Sequence, residues 1–331
     1  MSQDRGFVSV MGPTITRYLA LKRALGRRYD GEQRVLESLD PFLTRQGADL
    51  TADTFARWCR SEEHLASGVR RNQMRIVRNL CLYRRRTEPT CFVPDPSLFP
   101  ALHQPVQPYI FREGEIVRLL REAGRLERAP DSPLRSELFR LAITLLYTAD
   151  LRRGELLRMT TGDYDTRERT LFVRETKFHK SRLLPLSSDA ADALEGYLQA
   201  RRPHLLPVSS DIPLIWNRRA GGKAYTAVGF GRVFRELFER ARIRKPNGHL
   251  PRIHDFRHTY ACHALLRWYR MGEDVQAKLP ILATYMGHVS IVSTQHYLRL
   301  IEPLATAASE RFARHCAGLV TPPTAALGGE Q

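Results

Sequence analysis

Hydrophobic residues recur with helical spacing over most of the chain. In residues 12–88 the pattern breaks at 29–31, 47–49 and 61–68, which are rich in residue types that stop or cap helices. It therefore predicts four helices there. Further helices are predicted near 110–126, 132–147, 152–160, 187–202, 226–242, 253–269, 276–286, 290–300 and 304–316.

One region departs from this helical spacing. Residues 170–174 and 181–186 are short runs of β-type residues separated by polar ones, and they predict a β-hairpin with Lys177 near its tip. The predicted fold class is mainly α with a small β-sheet or hairpin, in two domains.

Prolines place the domain boundary. Residues 94–108 hold five of the 20 prolines, so this stretch is predicted to be a semi-rigid linker. We predict a helical domain over 1–93, the linker over 94–108 and a larger domain over 109–318. Turn-forming and small residues without periodicity predict a disordered tail over 319–331.

The charge of the chain narrows the function. The net charge is +17 and the pI about 10.2, which favours a polyanionic partner. Six of the 52 basic residues are lysine, so the rest are arginine, whose planar fork suits phosphate. The five cysteines show no disulfide or zinc spacing. Neither a membrane span nor a signal peptide is indicated, and we expect a cytoplasmic protein.

The predicted helix at 69–86 carries a basic stripe, which faces away from Val77, Leu80 and Cys81 on a helical wheel. A stripe of this kind fits DNA binding, whereas its alternative is an ordinary solvated face. The candidate DNA contacts in the stripe are Arg71, Arg75, Arg78 and Arg85.

The stretch "RIHDFRH" places His254, Arg257 and His258 on one helical face. Two histidines around an acid have the outline of a zinc hydrolase motif, but the acid is Asp255 instead of Glu, and an arginine would repel the metal. An imidazole beside a guanidinium would instead clamp a phosphodiester. Alone, this helix would also fit a surface His and Arg without a function.

Two other stretches carry matching chemistry. "ADLRRGE" supplies Arg152 and, one turn later, Glu155, and "MGHVSIVSTQHY" supplies His288 and Tyr297. Together with Lys177 and "HDFR", this set resembles the tyrosine recombinases, or phage-type integrases. That family has Arg in a Gly-Leu-Arg-x-x-Glu context, a hairpin Lys, His-x-x-Arg, a His or Trp after Gly, and a Tyr nine positions beyond it.

The resemblance covers residues 108–300 and implies a catalytic set, which is Arg152, Lys177, His254, Arg257, His288 and Tyr297. It implies that the N-terminal helices form a core-binding domain and that both domains clamp duplex DNA. Glu155 and Asp255 would orient arginine and histidine, and Lys180 would be a further DNA contact or the less favoured hairpin lysine. One position departs from the family, because Asp150 stands where Gly is usual. Aspartate tolerates a left-handed backbone better than most residues.

The implied reaction is attack by Tyr297 on a DNA phosphodiester. The two arginines and two histidines would mask the phosphate charge, and the arginines would favour the phenolate. His254 would help to remove the phenolic proton, and Lys177 would protonate the leaving 5′ oxygen. A 3′-phosphotyrosyl link would conserve the bond energy, so strand exchange through a Holliday junction would need neither ATP nor a metal, and no cofactor is expected.

The resemblance also implies partners. Site-specific recombination would use specific double-stranded DNA sites, a tetramer on DNA, and accessory recombinases or DNA-bending proteins, with no membrane partner. The location would be cytoplasmic and nucleoid-associated. The N-terminal residues favour a mobile element, hence integration or transposition. The alternatives are DNA relaxation of the type IB topoisomerase kind, a DNA-binding protein without catalysis, and the zinc hydrolase.

Overall fold

The computed structural model describes residues 6–101, 107–130, 132–174, 181–204, 211–217, 223–287 and 297. The chain divides into two compact units, residues 1–107 and 108–331. The division lies at the C-terminal end of the predicted proline-rich linker. The fold is mostly helical with two small sheets, which confirms the predicted fold class.

The first unit contains the four predicted helices. They are α1 (Gly12–Ala24), α2 (Asp30–Gln46), α3 (Ala52–Ser61) and α4 (Ser67–Arg84). Gly47 ends α2 with a left-handed backbone at φ 59°, and the Thr51 side chain caps the start of α3. The apolar faces of these helices form one core, which includes Leu36, Val77 and Leu80.

Residues 94–101 belong to this first unit. Phe99 is buried in its core, Arg71 Nη1 donates a hydrogen bond to the Pro100 carbonyl at 2.6 Å, and Arg78 Nε donates one to the Pro94 carbonyl at 3.1 Å. A short 3-10 turn, Pro96–Leu98, lies between these anchors. This part of the predicted linker is therefore a strap packed on α4.

The second unit contains the remaining described helices and the strands. The helices are α5 (Glu113–Gly124), α6 (Arg135–Thr148), α7 (Arg153–Arg158), α8 (Ser188–Arg201), α9 (Ala227–Arg240), α10 (Asp255–Arg270) and α11 (Val275–Met286). An antiparallel sheet contains β1 (Tyr164–Asp165), β2 (Thr170–Val173) and β3 (Arg182–Pro185) in that order. A second antiparallel pair joins β4 (Trp216–Asn217) and β5 (Lys223–Ala224).

Helix α6 lies at the centre of this unit. Seven of its side chains are buried, and they extend around the helix, as expected of a core helix. Aromatic rings stack in the same core: Phe139 of α6 stacks on Phe230, and Phe111 stacks on Phe256 at a centroid distance of 4.6 Å. Helix α10 packs on α6, so the start of α10 is fixed beside the loop between α6 and α7.

The predicted helices near 290–300 and 304–316, the predicted tail and the hairpin tip lie outside the described residues, with the exception of Tyr297. Within the described ranges, none of the helices has both the length and the apolarity needed to cross a membrane.

Candidate active site

Arg152 lies at the N-terminal end of α7, where it is bound to Glu155 one turn later. The Arg152 main-chain N–H donates to Glu155 Oε2 at 3.0 Å, and its Nη1 donates to Oε1 at 2.6 Å. This pairing of a preceding N–H with an acid at the third helical position is the usual way to satisfy a free donor at a helix start. It fixes the guanidinium near α7 while leaving a quarter of the side chain exposed.

Glu155 also binds a second arginine. Arg182, the first residue of β3, donates to Glu155 Oε1 at 3.2 Å and to Oε2 at 3.0 Å. Burial of Glu155 favours its neutral form, but the hydrogen bonds and charge of Arg182, and then those of Arg152, outweigh it and lower the pKa of Glu155. The carboxylate is therefore a charged bridge between α7 and β3.

Arg257 is almost completely buried, with its side chain 2% exposed. Its Nη1 donates to the Asp150 main-chain oxygen at 2.9 Å, and its Nη2 donates to the Met286 main-chain oxygen. The same Nη1 lies 2.7 Å from Asp150 Oδ2. Arg257 thus joins α10, the loop before α7 and the end of α11.

Asp150 has a left-handed backbone, with φ 51°. The loop from α6 to α7 therefore has, at this residue, the backbone that the sequence suggested aspartate would tolerate. The carboxyl group is fully buried, and neither oxygen accepts a hydrogen bond from the described part of the chain, so its contact with Arg257 is an ion pair only. Burial raises the pKa of Asp150 to about 7 even though Arg257, and then Arg182, lower it.

The two candidate phosphate-binding arginines meet at the end of α11. Arg257 binds the carbonyl of Met286, and Arg152 Nη2 lies 3.5 Å from the carbonyl of Gly287. Gly287 has φ 63°, and a Cβ there would lie 3.1 Å from Arg182 Nη1. Glycine at this position therefore allows both the left-handed end of α11 and the close approach of Arg182.

His254, His258 and Tyr297 form a row of rings. The His254 and His258 centroids are 4.8 Å apart, and those of His258 and Tyr297 are 5.5 Å apart. His254 is exposed at the rim; desolvation by the surrounding protein, followed by the charges of Arg257 and Arg252, lowers its pKa. Burial and His254 lower the pKa of His258 to about 4. Both imidazoles are therefore neutral at neutral pH.

Tyr297 is buried, with 4% of its surface exposed, in an apolar cluster with Cys262, Leu282 and Met286. Burial raises its pKa to about 12, although the charges of Arg257 and Arg152 lower it. The arginines act in the direction that the sequence suggested. The net effect is opposite to that expectation, because removal from water outweighs the two charges, and the phenol is protonated in this arrangement.

The sequence of residues 111–302 matches the model of the phage integrase family, and this range contains every residue of the site just described. The chain belongs to the phage integrase family. It is a tyrosine recombinase, as the resemblance implied.

Relatives extend this family likeness along the chain. A Sinorhizobium fredii protein named as an integrase/recombinase, y4rB, is 29% identical over 310 residues, which cover 93% of this chain and 98% of that protein. The tyrosine recombinase XerD of Mycobacterium tuberculosis is 31% identical over 183 residues, which cover 55% of this chain and 54% of XerD.

Solved structures show the same fold. The Tn1549 transposon integrase in complex with transposon right end DNA gives a TM-score of 0.60 at 19% identity, covering 91% of this chain and 99% of that one. A lambda integrase dimer bound to a COC′ core site gives a TM-score of 0.57 at 16% identity, covering 88% of this chain and 77% of that one.

Other predicted site residues of this integrase have different surroundings. Asp255 is fully buried and pairs with Arg252 at 2.8 Å and with Lys245 at 3.5 Å. These ion-pair partners are residues other than His254 and Arg257, which Asp255 was predicted to orient. Lys177, Lys180 and His288 lie outside the described residues. In the described ranges, no group of three or more His, Cys, Asp or Glu side chains is placed to hold a metal ion.

The four predicted DNA contacts, three on α4 and Arg85 directly after it, fall into two groups. Arg71 and Arg78 are half-buried and hold the strap at 94–101, whereas Arg75 and Arg85 are exposed. The residues expected opposite the stripe, Val77, Leu80 and Cys81, are buried in the core, as predicted.

Sequence reasoning missed two residues of this integrase site, Arg182 and His258. Arg182 follows the hairpin lysines in "KSR", a position where an arginine suggests only a solvated charge. His258 had a role only in the zinc hydrolase alternative, as its second histidine, and none in the interpretation as a DNA-cleaving site. The signal that could have found it is that spacing, which places it one turn beyond His254, on the same face.

Proposed function

We propose that this chain cuts and rejoins double-stranded DNA at specific sites through a covalent 3′-phosphotyrosyl link to Tyr297. The observation that carries the proposal is the meeting of Arg152 and Arg257 at the carbonyls of Gly287 and Met286, where α11 ends, next to the cluster that contains Tyr297. Residues up to 145 positions apart thereby form one site that combines two fixed positive charges, neutral imidazoles and a phenol.

In the proposed reaction Arg152 and Arg257 bind the non-bridging oxygens of the scissile phosphate. Their positions are set before DNA arrives, by Glu155 for Arg152 and by main-chain oxygens for Arg257. Donors fixed in advance stabilise the charge that grows on phosphorus without a reorganisation cost. His254 and His288 would add hydrogen bonds to the same phosphate.

Proton transfer from Tyr297 is the step that this arrangement makes difficult. With a pKa of about 12 the phenol needs a base, and it needs access to the phosphate from its apolar cluster. Neutral His258 lies against the Tyr297 ring and His254 lies next in the row, so an imidazole is available as the acceptor. Lys177 would protonate the leaving 5′ oxygen.

The wider proposal is recombination through a Holliday junction by a tetramer on DNA, without ATP, metal or cofactor, in the cytoplasm at the nucleoid. Accessory recombinases or DNA-bending proteins would assist. The likeness of the fold to a transposon integrase over nearly the whole chain supports a mobile-element role, hence integration or transposition. Glu155 orients Arg152, Asp255 supports the start of α10, and Lys180 would contact DNA.

The test begins with a pool of random duplexes, each with a nick that lets the cut fragment diffuse away. Covalent adducts that survive SDS are isolated and sequenced, which gives the preferred site and a defined suicide substrate. Wild-type protein should give an adduct with a phosphotyrosine at Tyr297, identified by mass spectrometry of the digested complex.

Tyr297→Phe is the matched control, because it removes one hydroxyl from the ring. It should bind the selected duplex and give no adduct. An adduct of equal yield in this variant, or none with wild type, contradicts the proposal. Joining of strands from two marked duplexes separates recombination from relaxation of a single supercoiled plasmid.

A further inference from the structure

We propose that the Asp150 carboxylate competes with the scissile phosphate for Arg257, so that Asp150 controls how strongly this site holds DNA. The inference rests on the proposed function, because it concerns the same phosphate. It assigns a positioning role to a residue that stands where the family usually has glycine.

Asp150 and Arg257 form a buried ion pair. Asp150 Oδ2 lies 2.7 Å from Arg257 Nη1, and both side chains are removed from water. A guanidinium in such a site attracts whichever anion lies nearest. With the Asp150 carboxylate ionised, part of the attraction that a phosphate would receive from Arg257 is already used.

The positive charges around Asp150 outnumber the negative ones. Glu155 is bound by both Arg152 and Arg182, and Arg257 has Asp150 as its acidic partner. Three guanidiniums thus face two carboxylates, which leaves one positive charge for the phosphate if Asp150 is ionised and two if it is neutral. Loss of the Asp150 charge would therefore increase the pull on the phosphate.

Other titratable groups face Asp150 as well. Tyr260 of α10, Tyr285 of α11 and Tyr297 feel its charge, and the pKa of each is raised mainly by burial, so all three are neutral near pH 7. Burial also brings the pKa of Asp150 itself to about 7. A phosphate anion at Arg257 would raise that pKa further, so DNA binding would take up a proton.

The backbone supplies well-matched variants. Asp150 has φ 51°, a conformation that asparagine and glycine adopt readily. Asp150→Asn keeps the shape and removes the charge, whereas Asp150→Gly removes the whole side chain. Circular dichroism should show native helix content for both.

The experiment measures single-turnover adduct formation on the selected suicide duplex from about pH 5.5 to about pH 9. We expect Asp150→Asn and wild type to react at similar rates at the acid end. At the alkaline end the variant should be faster by about tenfold or more, since an ion pair of this kind shifts a pKa by roughly one to three units. His254 titrates in both proteins and cancels in the ratio of the two rates. The Asp150 charge also raises the pKa of Tyr297, so its effect on phosphate binding is measured separately, on protein that lacks the Tyr297 hydroxyl.

A binding measurement on Tyr297→Phe protein, with and without Asp150→Asn, provides a second readout. Removal of the carboxylate should tighten binding of the duplex at alkaline pH. It should have no effect on a duplex with an uncharged methylphosphonate at the cleavage position.

Three outcomes overturn the inference: an unchanged pH profile with a lower rate in both variants, equal effects on natural and methylphosphonate DNA, or loss of folding in both variants. Each would mean that Asp150 is only a structural partner of Arg257. Absence of a Tyr297-dependent adduct in wild type is a different result, because it contradicts the proposed function itself.

Discussion

At the scale of single residues, Glu155 bridges two arginines of the site. One buried carboxylate accepts hydrogen bonds from Arg152 and Arg182. Glu155→Gln leaves two guanidiniums facing each other without a counter-charge. We expect a loss of about 3–5 kcal/mol in the free energy of unfolding, the usual cost of breaking a buried pair, measured by urea denaturation at neutral pH.

The same bridge makes stability depend on pH. The pKa of Glu155 is lower in the folded state than in the unfolded chain, so its contribution is complete above the ordinary glutamate value of about 4.3. It is lost as the pH falls below that value toward the lowered pKa of the folded state. The gap in stability between wild type and Glu155→Gln should narrow in this acid range. A constant gap would show that Glu155 stabilises by packing alone.

Sequence patterns predicted some residues of the candidate site and not others. Arg152 with Glu155, and His254 with Arg257, were predictable because each pair lies within one helical turn and has a local motif. Arg182 was not, because its partner Glu155 lies 27 residues earlier and the contact requires β3 to pack beside α7. The raised pKa of Tyr297 was also hidden, because burial depends on side chains from α10 and α11.

At the scale of elements, helix α4 has arginines with two different tasks. Arg78 holds the strap at 94–101 through the Pro94 carbonyl, whereas Arg75 is exposed. Arg78→Ala should therefore speed proteolysis within the strap and lower stability by about 1 kcal/mol, as expected for one hydrogen bond. Limited digestion with mass spectrometry measures the first effect.

Arg75→Ala and Arg85→Ala are the matched comparison on the same helix. If these side chains contact phosphates, each should weaken DNA binding and reduce the slope of log K against log salt by about one. Their stability and digestion pattern should match wild type. A DNA affinity equal to that of wild type in both variants would mean that neither Arg75 nor Arg85 contacts DNA.

Thr259 connects the start of α10 to the segment that precedes α5. Thr259 Oγ1 accepts a hydrogen bond from the Phe111 main-chain N–H at 3.0 Å and donates one to the Asp255 carbonyl at 2.8 Å. Thr259→Val keeps the shape and leaves the buried Phe111 N–H without a partner, which should cost about 1–3 kcal/mol.

Thr259→Ser is the control, because it retains the hydroxyl and loses one methyl group. Urea denaturation of both variants checks the prediction. A valine variant as stable as the serine variant would mean that the Phe111 N–H finds another acceptor.

Helices were predictable from hydrophobic spacing because most of them cover three or more turns with one buried face. The predicted bounds lie within a few residues of those observed, as for 226–242 against Ala227–Arg240. Strands β1, β4 and β5 contain two residues each, too few for an alternating pattern to be detected.

At the scale of the whole molecule, each unit has its own hydrophobic core. We therefore expect two unfolding transitions in calorimetry. Leu36→Ala should lower the midpoint of one transition and Leu145→Ala that of the other, because both leucines are fully buried and such a change costs about 2–5 kcal/mol. A single transition shifted by both variants would show that the units unfold together.

The proline-rich stretch indicates a division of the chain into two units, but it does not indicate how residues 94–101 pack. Prolines exclude helix and central strand, yet they do not tell whether an extended segment is free or packed. Here Phe99 enters the core of the first unit, and arginines of α4 hold the carbonyls on either side. That contact depends on the surface of α4 and could not be deduced from composition.

Arg257 and Arg152 bind the carbonyls of Met286 and Gly287 in addition to the phosphate that we propose they bind. A guanidinium has five N–H groups, so it can keep hold of a helix end and still reach out to an incoming anion. An ammonium group has one nitrogen and no such fork. With its single nitrogen, lysine at position 257 could not both hold the peptide that leads toward Tyr297 and bind the DNA backbone. Retaining the charge would therefore not retain the reaction.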